Sequence, residues 1–138
     1  MFPPEIVNIS AMFVTIFNQS IKAEHNDLDQ IAGPGFRKAI EFLIKDFIIS
    51  KFKPDETERI DKIKKMFLAQ CIEEFIDNSQ IKQCSKRAVW LGNDETHYIR
   101  KWDSKDIQDL KTLISMTVNW IELDVKTNEF LSSMPDTR

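Results

Sequence analysis

GPGFRKAIEFLIKDF, residues 33–47, sets the strongest punctuation in the chain beside one of its clearest helical stripes. Gly33-Pro34-Gly35 reads as a break, because glycine and proline together favour turns. Beyond it, Phe36, Ile40, Leu43 and Phe47 recur at intervals of three and four, the spacing that gathers side chains on one helix face. A helix is therefore expected from Gly35 onward. It should stop before Pro54, because proline disfavours a helical residue ahead of it.

The flanking segments read in the same way. Pro3 and Pro4 suit the first turn of a helix, where no backbone donor is lost. Ile6, Ile9, Phe13 and Ile16 then mark one helix that runs to about Glu24 and dissolves in His25-Asn26-Asp27. Downstream, Asp55, Glu56 and Glu58 place negative charge where a helix dipole welcomes it. The apolar stripe from Ile60 to Ile76 shifts near Ala69, which fits either one kinked helix or two shorter ones. Asp77-Asn78-Ser79 stops that segment and caps a fourth helix from about Gln80. Asp103 or Ser104 should cap the last, whose buried face is Ile107, Leu110, Ile114, Val118, Ile121 and Val125.

Composition supports this reading. Three glycines and five prolines in 138 residues supply too little turn chemistry for many short strands. We find no repeat, low-complexity segment or linker. The expectation is a single all-α domain over 1–138, an antiparallel bundle of about five helices with its core in 4–126 and a frayed tail over 127–138. The net charge of −3 argues against a surface wholly committed to nucleic acid. Cys71 and Cys84 lack metal-site spacing and fall among apolar residues, as buried thiols in a reducing compartment would. No basic leader precedes an apolar run, and Ala11–Phe17 is far shorter than the ~20 residues of a membrane span. A cytoplasmic location without membrane attachment is expected.

Chemistry concentrates in LGNDETHY, residues 91–98. If the fourth helix continues through Gly92, Asn93 and His97 stand four residues apart on one face, with Trp90 a turn earlier. An amide beside an imidazole can fix the ring's tautomer and equip it for general acid–base chemistry. The plainer reading is a helix end with a packed histidine. Asp94, Glu95 and His97 make a poor metal set, because adjacent carboxylates point apart. No metal or cofactor is expected.

Asn-x-x-x-His closing a helix in a small bundle resembles the core motif of the HEPN superfamily. The fuller pattern is similar to the bacterial domain-of-unknown-function family 4145, in GFRKAIEFLIKDF (35–47), AQCIEEFI (69–76) and RAVWLGNDETHY (87–98) followed by a long amphipathic helix. That resemblance covers roughly Pro4 to Glu122. It implies an all-α bundle, commonly dimeric, in bacterial defence or stress systems. Many superfamily members are metal-independent ribonucleases; others only bind RNA or nucleotides. Members of this branch also occur as parts of restriction enzymes. Active ribonucleases carry arginine before the asparagine, where this chain has Gly92. Arg87 cannot substitute, being ten residues, or roughly 15 Å of helix, from His97.

Arg37 and Glu41 share one face of the second helix. They read either as an ordinary surface pair or as a guanidinium aimed at Asn93 and His97 and steadied by Glu41. The catalytic set of an enzyme would then be His97, Asn93, Arg37 and Glu41. Lys86, Arg87, Tyr98, Arg100 and Lys101 interleave cations with an aromatic, a pattern suited to RNA. A solvated charged face is the alternative. Trp90 and Trp102 flank the motif as anchors of a homodimer would. Two functions follow: a non-enzymatic dimer or subunit-binding domain of a defence or nucleic-acid-processing system, and a metal-independent ribonuclease using His97, Asn93 and Arg37. The absence of arginine at position 92 favours the first. Partners consistent with these readings are a second copy, RNA or a nucleotide, and another protein of a defence system.

Overall fold

In the computed structural model, which describes residues 1–137, the first expected helix is two. α1 (Pro4–Ile9) and α2 (Ala11–His25) meet at Ser10, a buried residue in a non-helical conformation. Its hydroxyl accepts from the Phe13 backbone N–H at 3.3 Å, capping α2, and donates to the Asp46 carboxylate. The helix breaks where a side chain satisfies both a new N-terminus and a neighbouring helix.

α3 (Asp29–Ser50) corrects the opening expectation, because it runs straight through Gly33-Pro34-Gly35. Neither glycine has a positive φ. A Cβ on Gly33 would collide with the Glu95 side chain, and one on Gly35 with the Ser20 hydroxyl. The glycines therefore admit neighbouring helices rather than turn the chain. Pro34, sixth in the helix, removes the donor that would reach the carbonyl of Gln30.

The segment after Pro54 forms α4 (Thr57–Lys65) and α5 (Leu68–Phe75), the two-helix alternative. Met66 and Phe67 between them are extended. Lys45 of α3, 8% exposed, donates to the carbonyls of Lys64 at 3.1 Å and Met66 at 2.7 Å. An ammonium thus closes the negative end of α4. α6 (Ser79–Thr96) starts beneath the Asn78 side chain, which accepts from Ile81 N–H at 3.0 Å.

The last helix, α7 (Ile107–Ser133), is capped by Asp106 rather than Asp103 or Ser104. The Asp106 carboxylate takes the N–H groups of Gln108 and Asp109, and Asp109 returns the contact to Asp106 N–H. α7 also continues through residues expected to fray. It stays helical to Ser133 although everything after Val125 is exposed; Arg138 lies outside the described residues. Seven helices replace the expected five among the described residues, all of them α, with no strand.

α3 is the hub, packing against each of the other six helices. Contacts Ser10–Asp46, Phe17–Phe36 and Ser20–Gly35 set α2 antiparallel to it. Contacts Gly33–Glu95 and Arg37–Gly92 do the same for α6. The core centres on fully buried Phe13, Phe36, Ile40, Leu43, Ile44, Ile72, Ile81, Leu110, Ile114 and Ile121. Full burial of one such side chain contributes about 1.5–3 kcal/mol. Cys71 and Cys84 are buried and unbridged, and burial pushes both thiols up, towards their unreactive form.

Candidate functional site

Three of the four residues picked out for catalysis form a hydrogen-bonded line across α3 and α6. Arg37 Nε donates to Asn93 Oδ1 at 3.0 Å, and Arg37 Nη1 donates to Glu41 Oε1 at 2.8 Å. Glu41 Oε2 also receives the Lys45 ammonium at 3.1 Å. Burial pushes the Glu41 carboxyl up, but the hydrogen bonds and charges of Arg37 and Lys45 outweigh it and hold the group below its ordinary value.

Gly92 makes this approach feasible. A Cβ there would stand 2.7 Å from Arg37 Cδ and 3.3 Å from Arg37 Cα. Gly92 is thus the floor on which an arginine from another helix lies.

His97 is apart from that line. It is the C-cap of α6, with extended ψ of 151°, its backbone N–H donating to Asn93 O at 2.9 Å and its side chain exposed. Asn93 and His97 both line a cleft of about 250 Å³ with Trp90, Asp94, Lys101 and Trp102. Arg37 and Glu41 do not line it. Asn93 belongs to both arrangements, so the four residues occupy two adjoining places rather than one pocket.

Sequence reasoning missed the role of Asp94. Its side chain is buried and accepts the backbone N–H groups of Lys101 at 3.0 Å and Trp102 at 2.8 Å. Burial raises its pKa, but those two donors together with Arg100 and His97 bring it below the ordinary aspartate value. It straps the irregular 97–106 segment to α6. Glu95 helps by pairing with Arg100 at 2.7 Å, and Arg100 in turn donates to Lys105 O at 3.1 Å. No sequence signal distinguishes such a strap from a helix-end carboxylate, because its partners are backbone groups seven and eight residues on.

The residues picked out for nucleic acid are engaged in different ways. Lys86 is paired with Glu73 of α5, and Arg100 is taken by Glu95. Arg87 donates to Gln83 Oε1 at 2.7 Å and lies over the Trp90 ring, 5.2 Å from its centroid. Tyr98 is fully exposed, and Lys101 lines the His97 cleft. Trp90 and Trp102, expected as separate anchors, stack on one another with centroids 5.8 Å apart and planes 4° from parallel. They remain 39% and 43% exposed. On their far side a second cleft, of about 380 Å³, opens between α6 and α7.

Among the described residues, no group of three or more His, Cys, Asp or Glu is placed to hold a metal ion, and no helix is long and apolar enough to cross a membrane. Comparison with protein-family models, curated proteins and solved structures finds no match.

Proposed function

We propose that this chain is a HEPN-like helical module that acts without catalysis, as a homodimerising or subunit-binding domain in a bacterial defence or nucleic-acid-processing system. One observation carries the reading. The Arg37 guanidinium is engaged by Asn93 and Glu41 and does not line the cleft beside His97. A metal-free phosphoryl transfer needs a preorganised positive charge where charge develops. The imidazole here opens onto a cleft whose nearest lining cation is Lys101, on the strap. Association is supported by α7, whose outward face leaves Met116, Leu123 and Phe130 exposed.

A second reading keeps one observation of its own. The Arg37–Asn93 hydrogen bond sets a guanidinium against the motif through the space left by Gly92. In that reading His97 is the acid–base group, Asn93 the orienter and Arg37 the phosphate clamp of a metal-independent ribonuclease. The assay is wild type against His97→Ala on mixed RNA, with and without chelator. Equal, negligible cleavage by both proteins is the expected result. Chelator-resistant cleavage leaving 2′,3′-cyclic phosphate ends, and falling ~10²–10⁴-fold in His97→Ala, would establish the enzyme instead.

A further inference from the structure

The geometry points to the cleft between α6 and α7 as a binding site for a planar aromatic anion, its ring against the Trp90–Trp102 pair and its charged head at Lys105 and Arg87. This inference does not depend on the HEPN-like reading or on His97. The cleft is walled by the two indoles, floored by Leu91 and Leu113, and edged by Arg87 and Lys105 on one hand and by Asp109 and Thr112 on the other. Its volume, about 380 Å³, falls within the ~300–1,000 Å³ of small-molecule sites.

Three features argue that the cleft is built rather than left over. First, the wall is fixed in place at a cost. The buried Asp94 carboxylate engages both of its oxygens with Lys101 and Trp102 N–H, which sets Trp102 against Trp90. Burying a carboxylate is expensive unless it is well hydrogen-bonded, yet the two indoles it positions stay about two-fifths exposed. Second, the strap is tied at several points, since Arg100 links Glu95 to Lys105 O and Lys105 N–H donates to Trp102 O at 3.0 Å. Such preorganisation lowers the ordering cost of binding. Third, the ion pairs among the described residues use Lys86, Arg100 and Lys111 nearby but neither Arg87 nor Lys105. The cleft's one carboxylate, Asp109, is held at the Asp106 N–H. Two cations outside those ion pairs, with Arg87 steadied by Gln83 and Trp90, therefore face an exposed aromatic wall and suit a ligand that brings both a ring and a negative charge.

Such chemistry arises in a free nucleotide, in another small aromatic acid, or in one unit of a single strand. The test follows the indole N–H resonances of the intact chain by NMR. The probes are adenosine monophosphate, indole-3-acetate, a short oligothymidylate, adenosine and inorganic phosphate. Aromatic anions should shift the Trp90 and Trp102 signals and leave Trp120 unmoved, with adenosine or phosphate alone at least about tenfold weaker. Lys105→Gln should weaken the anions by about tenfold without altering the adenosine response. Tighter binding of the oligothymidylate than of either small anion identifies a strand as the source. The reverse order identifies a free ligand, and the two small anions then separate nucleotides from other aromatic acids. No selective shift of Trp90 and Trp102 with any probe at millimolar concentration, or a Lys105→Gln protein that binds the anions unchanged, overturns the proposal. The same spectra show whether each variant is folded, so failure to fold cannot imitate loss of the site.

Discussion

At Gly92 a missing methyl group decides how closely two helices approach. Gly92→Ala should destabilise the fold by about 1–3 kcal/mol, the usual cost of overpacking, because the new Cβ meets Arg37 at its backbone as well as along its side chain. Denaturant titration measures this, and an unchanged midpoint would show that α3 and α6 are less intimate than described. Two aspartates respond to acid in opposite senses. The Asp94 carboxyl is pulled below its ordinary value, so its contribution is complete above the unfolded pKa and is lost as pH falls through the lower, folded value. Burial pushes Asp46 up despite the Ser10 hydroxyl and the Lys64 charge, so the folded state binds that proton more readily and gains relative stability as pH falls. Thermal melts taken downward from neutral pH should therefore show a loss that Asp94→Asn flattens and Asp46→Asn steepens. Parallel curves for all three proteins would refute these assignments. The sequence offered Asn93, His97, Arg37 and Glu41 by residue type and spacing. It could not show that Asn93 faces Arg37 while His97 leaves the helix, because a C-cap's direction is set by backbone torsions that no side-chain pattern encodes.

Among the elements, stripes of apolar residues at intervals of three and four were legible throughout. Breaks and caps were less so, and the exceptions share a cause. Gly33-Pro34-Gly35 has the composition of a turn, yet tertiary packing against Ser20 and Glu95 uses the same small residues to bring helices together. Ser10 looks like an ordinary helical residue until Asp46, far away in sequence, accepts the hydrogen bond of its hydroxyl. In both places a partner remote in sequence overrules the local pattern. The start of α7 was ambiguous because 103–106 holds three cap-forming residues in a row of four. Asp106 caps the helix with Asp109 returning the contact to its backbone N–H, although Asp103 and Asp106 offer the same spacing. Asp106→Ala should cost about 1 kcal/mol, read as a lower melting temperature, with Asp103→Ala near neutral. Equal effects from the two substitutions would mean the cap is shared.

For the molecule as a whole, α7 carries two apolar faces. One, with Ile114, Val118 and Ile121, is sealed in the core. The other leaves Met116, Leu123 and Phe130 exposed at seven-residue intervals, a period that matches another helix, while Trp120 packs against the core. On the dimer reading, light scattering should give twice the chain mass of 16.2 kDa, and Leu123→Glu or Phe130→Glu should give monomers. A clean monomer of the wild-type chain at tens of micromolar would remove dimerisation from the proposed function. The central place of α3 has a further consequence, in the order of assembly. α2 with α3 and α6 with α7 are hairpins whose partners are neighbours in the chain, so each can close early at small entropic expense. The contact joining them, Arg37 with Asn93, spans 56 residues and forms only when one hairpin docks on the other. On that order of assembly the Arg37–Asn93 bond is expected to form late and open early, which the refolding and unfolding arms of a denaturant chevron measure. A substitution at Gly92 accordingly acts mainly on how fast the native state comes apart, and little on how fast it forms.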